Sequence, residues 1–145
     1  MASRGLELIK AAIENTLKTK TWGSFLKNLE VLSADKGNCT AEFTVQEEQL
    51  NHGGTLHGGC TCSLIDNVST YALVTHAKNP HPGVSVDLHV SFIKSALPGE
   101  VITIEAKTKK LGRTLAFLDV EMFKKKDGSL IARGSHTKFV GFDQK

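Results

Sequence analysis

Long apolar stretches are absent from the sequence, and no run approaches the ~20 apolar residues that a membrane-spanning helix needs. The opening segment places Glu7 and Glu14 among its apolar residues, so it lacks the continuous hydrophobic core of a secretory signal. These absences exclude a membrane-spanning protein and disfavour a secreted one. We expect a cytoplasmic protein, and association with mitochondria stays an alternative.

Cysteine is scarce, with three residues in a chain of 145. So small and odd a number does not form a secreted disulfide framework and is typical of a reducing compartment. Cys39, Cys60 and Cys62 are therefore interpreted as free thiols. Cys60 and Cys62 have no second pair to complete four zinc ligands, and His52 and His57 have only one carboxylate near them. No metal site is expected.

Two common enzyme motifs are missing. The glycine-rich segment at residues 51–59 is not followed by Gly-Lys-Ser or Gly-Lys-Thr, which excludes a nucleotide-binding P-loop. Gly-x-Ser-x-Gly is also absent, and the chain is too short and too rich in hairpin signals for an α/β-hydrolase. With ordinary composition and no repeat or linker, residues 1–145 are predicted to form one domain.

Charge is distributed unevenly along the chain. Residues 1–93 contain 7 Lys/Arg and 9 Asp/Glu, whereas residues 94–145 contain 11 and 6, so the two parts carry −2 and +5. The basic part would attract a polyanionic ligand such as a nucleotide phosphate. Lysines on solvated strand faces explain the same charges without a ligand, and we expect no nucleic-acid partner.

The apolar pattern predicts a helix and then a β-hairpin near the start. Four apolar residues at helical spacing predict an amphipathic helix over residues 5–20: Leu6, Ile9, Ile13 and Leu17. Alternation over residues 39–46 predicts a half-buried strand. We expect it to pair with a shorter strand over residues 29–32 across the turn at residues 35–38.

The rest of the chain is predicted to form one buried helix and four strands. Residues 58–77 are nearly all small or apolar, as in a helix buried on most of its faces. The strands are expected at residues 83–93, 101–110, 114–124 and 129–140, with hairpin connections at 97–100, 111–113 and 125–128. Alternation from Val84 to Phe92 places Ser85 on the opposite face. The order α-β-β-α-β-β-β-β predicts an α+β domain whose antiparallel sheet curls around the second helix.

The loop before the buried helix has four glycines in nine positions, from Asn51 to Gly59. Glycine leaves the backbone open to close approach. The first amides of a helix have no intrahelical partner, so the Gly58 N–H is a candidate donor to a carbonyl oxygen that becomes an oxyanion. Asn51 is a candidate second donor. A tight turn explains the same glycines without any chemistry.

Asp66 is unusual because it lies inside a helix that is otherwise built of small and apolar residues. It is either a carboxylate bonded to Asn67 or nearby hydroxyls for structural reasons, or a general base or nucleophile. Eight residues of helix separate Gly58 from Asp66, about 12 Å. A short aspartate does not span that distance, so one shared site requires two subunits with antiparallel helices, and we predict an obligate homodimer.

Several runs of residues resemble the hotdog-fold thioesterases: His57-Gly58-Gly59, Asp66-Asn67, and Gly83-Val84-Ser85-Val86-Asp87. The resemblance covers nearly the whole chain, from the first helix to Gly134-Ser135-His136-Thr137-Lys138. Its specific runs are Gly54-Thr55-Leu56-His57-Gly58-Gly59 and Thr114-Leu115-Ala116-Phe117. It implies a long helix wrapped by a curled antiparallel sheet, with an extra N-terminal helix. It also implies dimers that assemble as a dimer of dimers.

By this resemblance the chain would hydrolyse fatty acyl-CoA thioesters without a metal or redox cofactor, since a thioester is already activated. Asn51 and the Gly58 amide would hold the thioester carbonyl, and His57 would support the loop. Asp66 of the facing subunit, with Ser85, would direct water or attack directly. The nucleotide end of coenzyme A would lie along a larger set of residues: Asp87, Phe92, Lys94, Ser95, Lys110, Leu111, Gly112, Arg113, Thr114 and Lys138.

Two other functions fit the same resemblance. A hotdog dehydratase or hydratase acting on a 3-hydroxyacyl thioester pairs a catalytic histidine with the helix carboxylate, and His57 is the only candidate histidine that the sequence offers. A non-catalytic acyl-CoA binding module would keep the pocket and the basic residues but has no reason to bury an activated carboxylate. Asp66 is therefore the residue that discriminates between an enzyme and a binding module.

Overall fold

The computed structural model describes residues 2–78 and 81–142. In chain order the elements are α1 (Arg4–Leu17), a 3₁₀ helix (Ser24–Asn28), β1 (Leu29–Asp35), β2 (Asn38–Thr44), a 3₁₀ helix (Glu47–Gln49), α2 (Gly58–Val74), β3 (Val84–Phe92), β4 (Val101–Leu111), β5 (Leu115–Lys124) and β6 (Leu130–Phe139). The predicted order of α-helices and strands is confirmed. The two 3₁₀ helices were not predicted.

The ends of the elements differ from the prediction by a few residues. α1 and α2 end at Leu17 and Val74 rather than at residues 20 and 77, and β1 continues to Asp35 rather than ending at residue 32. Leu17 is 41% exposed, so the apolar stripe that anchors α1 stops one turn earlier than its spacing indicated. Within the described ranges, no helix has the length and hydrophobicity to cross a membrane.

The six strands form one antiparallel sheet in the order β1-β2-β4-β5-β6-β3. Predicted hairpins at residues 35–38, 111–113 and 125–128 are confirmed, and the first places Lys36 and Gly37 at positive φ. The hairpin predicted at residues 97–100 is wrong, because β3 pairs with β6 whereas β4 pairs with β2 and β5. Turn residues specify a change of direction, and long-range pairing decides the partner strand.

α2 lies against one face of this curled sheet. Its buried side chains include Leu64, Ile65, Val68 and Leu73. At Gly134 of β6, an added Cβ would lie 2.9 Å from Ile65 Cγ2 of the helix. A glycine at this position therefore lets the helix and the sheet pack together. The opposite side of α2 carries half-buried or exposed residues in this single chain.

β3 contains a bulge between residues 85 and 87, where its register with β6 shifts. One extra residue in a strand changes the phase of side-chain alternation. Ser85 contacts the buried His136, and Leu88 and Val90 pack against the core, so all three face α2. The prediction of one unbroken alternation along β3 is wrong, and Ser85 lies on the helix side rather than the opposite face.

β3 is an edge strand with apolar side chains open to solvent in the single chain. Val84, Val86 and Phe92 are 53%, 59% and 60% exposed. An edge strand with exposed apolar side chains is a template for pairing with another strand. This surface adjoins the start of α2, where the Phe92 ring lies next to Gly58.

Candidate active site

The loop that precedes α2 is closed by its own hydrogen bonds. The Asn51 N–H donates to the Thr55 carbonyl at 2.7 Å, and the Thr55 N–H donates to Asn51 Oδ1 at 3.1 Å. The Asn51 Nδ2 group donates to Thr55 Oγ1 at 2.8 Å, which uses one of its two hydrogens. Gly54 has a φ of 81°, a conformation that favours glycine. The Asn51 side chain is thereby held in a defined orientation.

His57 joins this loop to α2. It is the N-cap residue of the helix, and its Nδ1 accepts a hydrogen bond from the Gly59 N–H at 2.8 Å. Its own N–H donates to the Gln49 carbonyl at 2.8 Å. This cap satisfies one of the free amides at the helix start. Gly58 is the first residue of α2, at a position where an amide has no acceptor within the helix.

A cavity of about 370 Å³ lies beside the start of α2. Its lining includes the two residues predicted to hold a carbonyl, Asn51 and Gly58. It also includes three residues predicted to bind coenzyme A: Phe92, Lys94 and Ser95. A Cβ added at Gly58 would lie 3.4 Å from the Phe92 ring. The start of α2 and the end of β3 thus form the walls of one cavity, with a cation at its edge.

A second cavity, of about 400 Å³, lies on the other side of the same helix start. Its apolar lining includes Trp22, Phe25, Leu50 and Cys60, and it also touches His57 and Gly59. Trp22 is 81% exposed, and its Nε1 donates to Ser63 Oγ on α2 at 3.1 Å. Sequence reasoning did not find this cavity. The lone tryptophan between α1 and β1 is the signal that could have indicated it.

Asp66 lies two turns along α2, away from both cavities. Its side chain is 47% exposed, so the expected buried carboxylate is not buried in a single chain. Its Oδ1 lies 3.9 Å from Nε2 of His136, which is 1% exposed. The Ser85 hydroxyl lies 2.7 Å from the same Nε2 atom. Asp66 and Ser85, which were predicted to act together, therefore both lie next to Nε2 of His136.

Ser69 and Lys138 complete the surroundings of Asp66. Ser69 Oγ lies 2.8 Å from Nδ1 of His136. The Lys138 ammonium, predicted to contact coenzyme A, is 4% exposed as a residue and donates to Thr70 Oγ1 on α2 at 2.6 Å. It thus lies beneath the Asp66 turn of the helix rather than at the outer surface of the sheet.

Burial lowers the pKa of both basic groups next to Asp66, namely His136 and Lys138. It lowers the pKa of His136, and Lys138 lowers it further, against the opposing effects of Asp66 and Asp87. Burial also lowers the pKa of Lys138, although Asp66 opposes the shift. A histidine with a lowered pKa is neutral at pH 7, so its contact with Asp66 is not an ion pair there.

The cysteines are poor nucleophiles. Burial raises the pKa of Cys60 to about 11 and that of Cys39 to about 12, and it also raises the pKa of Cys62. The thiolate is the reactive form, and at neutral pH these thiols are protonated. Cys60 therefore contributes to its cavity as a small apolar side chain.

The predicted site residues fall into two groups that are separated in space within a single chain. Asn51, Gly58, Phe92, Lys94 and Ser95 share the first cavity. The other group surrounds His136 and includes Asp66, Ser85, Asp87 and Lys138. The turn at residues 110–114 belongs to the same group, because the Val140 N–H donates to the Thr114 carbonyl and β5 pairs with β6 there. Ser85 and Phe92 are seven positions apart on β3, which corresponds to about 23 Å. One chain does not bring the two groups together.

His136 and Ser69 are site residues that sequence reasoning missed. His136 appeared only within a resembling run, and the inference that His57 is the only candidate histidine is wrong. Its partners are 67 and 51 positions away along the sequence. Only strand pairing and the bulge in β3 bring them together, so no local spacing predicted the cluster.

Comparison with known proteins places the chain among thioesterases. Residues 53–131 match the Thioesterase superfamily. Acyl-coenzyme A thioesterase 13 from Homo sapiens is 41% identical over 133 residues, covering 92% of this chain and 94% of that protein. The crystal structure of zebra fish thioesterase superfamily member 2 has a TM-score of 0.91 at 41% identity, covering 96% of this chain and 100% of that one.

A more distant structure has a bound molecule named with it. A hypothetical thioesterase protein with coenzyme A from Streptococcus pneumoniae has a TM-score of 0.75 at 25% identity, covering 81% of this chain and 88% of that one. Agreement in sequence and in the curled sheet around α2 confirms the hotdog fold. It also shows that the chain belongs to the thioesterase superfamily.

Proposed function

We propose that the chain hydrolyses fatty acyl-CoA thioesters to a free fatty acid and coenzyme A. The observation that carries the proposal is the half-exposed Asp66 carboxylate, held next to the Ser85 and His136 pair on the open side of α2. A carboxylate with access to solvent and a neighbouring hydroxyl is suited to deprotonating water. The human relative named acyl-coenzyme A thioesterase 13 and the pneumococcal structure with coenzyme A support the substrate class.

A homodimer would unite the two groups of residues. The exposed apolar edge of β3 supports pairing with the same strand of a second chain, because antiparallel pairing about a two-fold axis satisfies both edges. It would place the Phe92 end of one β3 next to the Ser85 end of the other. Gly58 would then face Asp66 of the partner subunit, and the assembly would contain two equal sites. A dimer of dimers stays a prediction.

The reaction follows from these positions. The Gly58 N–H and the Asn51 amide would polarise the thioester carbonyl, while Asp66 of the partner subunit takes a proton from water. The resulting hydroxide adds to the carbonyl carbon and gives a tetrahedral oxyanion. Collapse of this intermediate breaks the carbon–sulfur bond, and coenzyme A leaves as a thiolate that takes the proton back. Direct attack by Asp66 through an anhydride uses the same residues.

The two cavities beside Gly58 would receive the two parts of the substrate. Lys94 and Ser95 line the first, which suits the polar pantetheine arm and the phosphates of coenzyme A. Trp22, Phe25, Leu50 and Cys60 line the second, which suits an apolar acyl chain. The carbonyl between these parts would lie at Gly58. This arrangement requires no metal or redox cofactor, and a cytoplasmic location stays a prediction.

A hydratase is the alternative to consider, because such enzymes pair a histidine with the helix carboxylate and His136 lies beside Asp66. His136 is 1% exposed, and each of its ring nitrogens faces a serine hydroxyl. A catalytic acid or base must reach the proton that it transfers. A histidine enclosed in this way does not reach a substrate, so hydrolysis is favoured.

Release of free thiol from a series of acyl-CoA esters tests the proposal directly. Wild-type protein should release thiol, and Asp66→Asn should lose about 100-fold or more of its turnover while keeping its assembly state, because the amide does not accept a proton. Hydration of crotonyl-CoA serves as the parallel measurement. Binding without turnover would identify a non-catalytic module, and hydration without thiol release would identify a hydratase.

A further inference from the structure

Ser69, His136 and Ser85 form a hydrogen-bonded chain that links α2 to β6 and β3. Ser69 Oγ lies 2.8 Å from Nδ1 of His136, and Ser85 Oγ lies 2.7 Å from Nε2. Ser69 is fully buried and His136 is 1% exposed. A neutral imidazole has one N–H and one nitrogen lone pair, so its two hydroxyl partners must play opposite roles.

The backbone of α2 decides which hydroxyl plays which role. Ser69 Oγ lies 2.6 Å from the Ile65 carbonyl and 3.0 Å from the Asp66 carbonyl, and its single hydrogen donates to these acceptors. Towards His136 the Ser69 oxygen is therefore an acceptor, which requires the hydrogen on Nδ1. Nε2 then carries the lone pair, and the Ser85 hydroxyl must donate to it.

We propose that Ser69 is a positioning residue that holds His136 in the Nδ1–H tautomer and thereby aims the Ser85 hydroxyl hydrogen at Nε2. The inference rests on the proposed function for its catalytic consequence. With its hydrogen directed at the histidine, Ser85 presents lone pairs to the reacting water. It accepts a hydrogen bond from one O–H of that water, while Asp66 removes the other hydrogen as a proton.

The opposite tautomer would disable the same residues. An N–H on Nε2 would point at Ser85 and at Asp66 Oδ1, which lies 3.9 Å away. It would turn the Ser85 hydrogen outwards, where it competes with the water hydrogens, and would weaken Asp66 as a base. Protonated His136 has the same N–H on Nε2, so acid is expected to lower turnover by this route.

The charged groups that face His136 come from all three packed elements. Asp66 lies on α2, Lys138 on β6 and Asp87 on β3. Burial is the largest influence and lowers the pKa of His136, Asp66 and Asp87 oppose it, and Lys138 adds to it. The neutral imidazole that the hydrogen-bond directions require is therefore the form present at pH 7.

Nitrogen-15 NMR of histidine-labelled protein tests the assignment, because its chemical shifts and long-range couplings distinguish the two tautomers. In the wild-type protein without substrate we expect His136 to be neutral with its hydrogen on Nδ1. Ser69→Ala should produce a mixture of tautomers, since Nδ1 loses its acceptor. Ser63→Ala is the matched control: it removes another α2 hydroxyl that donates to the carbonyl four residues back, at 2.9 Å, and should leave the tautomer unchanged.

Kinetics provide the second measurement. Ser69 does not line either cavity, so Ser69→Ala should lower kcat by about three- to tenfold, as for a lost hydrogen bond, with KM unchanged. The proposal is overturned if His136 of the wild-type protein carries its hydrogen on Nε2, or if Ser69→Ala leaves the tautomer unchanged. If the variant misfolds, the wild-type spectrum still tests the assigned tautomer. The NMR result is independent of thioesterase activity, so failure of the proposed function is recognised separately in the thiol-release assay.

Discussion

Single residues decide what the start of α2 presents to a ligand. Gly58 has no side chain, so its amide lies open to the cavity shared with Asn51 and Lys94. Cys60, two residues later and on the other side of the helix, is a small half-buried residue with a protonated thiol. Side-chain size at these positions, rather than chemical reactivity, therefore controls the space on either side of the helix start.

Replacing Cys60 with a larger residue should shorten the acyl chain that the protein accepts. Cys60→Phe would fill part of the second cavity, the one lined by Trp22. We therefore expect kcat/KM to fall about tenfold or more for long-chain acyl-CoA and to change by about twofold or less for short-chain acyl-CoA. The measurement is kcat/KM over a chain-length series. Cys62→Phe is the matched control, because Cys62 is also half-buried on α2 but does not line this cavity. Equal losses for short and long chains would contradict the assignment of the cavity.

At the scale of elements, the connection between β3 and β4 depends on an ion cluster. Glu100 accepts a hydrogen bond from the Leu97 N–H at 2.9 Å and pairs with Lys124 at 3.0 Å and Lys126 at 2.9 Å. The Leu97 N–H is the main cause that lowers the pKa of Glu100 from 4.5 to about 2, and the two lysines contribute further. The cluster joins the segment that crosses the end of the sheet to β5.

Glu100→Gln should reduce the free energy of unfolding by about 1 kcal/mol near neutral pH. A carboxyl whose pKa is lower in the folded chain stabilises the fold above its unfolded pKa. That stabilisation is lost as the pH falls from about 4.5 towards about 2, so the difference between wild type and variant should shrink over this range. Urea unfolding at several pH values measures it. Glu14→Gln, on the exposed face of α1, is the control for charge alone, and an equal loss there would contradict the role of the cluster.

At the scale of the whole molecule, the proposed homodimer would complete the active site. The candidate oxyanion donors lie at or just before the start of α2, whereas Asp66 lies at the middle of the helix. Asp66 is half-exposed, on the face of α2 that the sheet does not cover. A second chain that extends the sheet through β3 would cover this face and bring its own Gly58 next to Asp66. Two chains are therefore predicted to be the smallest active unit.

Mixing two inactive variants tests this sharing. Gly58→Pro removes the amide hydrogen, and proline is tolerated at the first helical residue when the preceding residue is extended, as His57 is. It should lose about 100- to 1000-fold in turnover, whereas Gly58→Ala keeps the donor and serves as the control. Refolding Gly58→Pro chains with Asp66→Ala chains should recover about a quarter of wild-type activity, since half of the dimers are mixed and each has one intact site. Recovery no greater than that of either variant alone would contradict a site shared between chains.

Sequence reasoning reached the fold because its main signals are local. Helical spacing, strict alternation and turn residues determine where elements form, and they correctly predicted two α-helices and six strands in order. The pairing of β3 with β6 was not predictable in this way, because the Leu97 to Glu100 turn specifies no partner strand. Burial was misjudged at Leu17 and Asp66, since periodicity shows a face but not how far its covering extends.

The sequence by itself determined the nature of the chemistry: a glycine-rich helix start, a carboxylate two turns later, and a spacing too long for one chain to bridge. Tertiary structure decided which groups accompany that carboxylate. The β3 bulge turns Ser85 towards α2, and the pairing of β3 with β6 delivers His136 between Ser85 and Ser69. Contacts between residues so distant along the chain depend on register, and register is set by the packing of the whole sheet rather than by any local pattern.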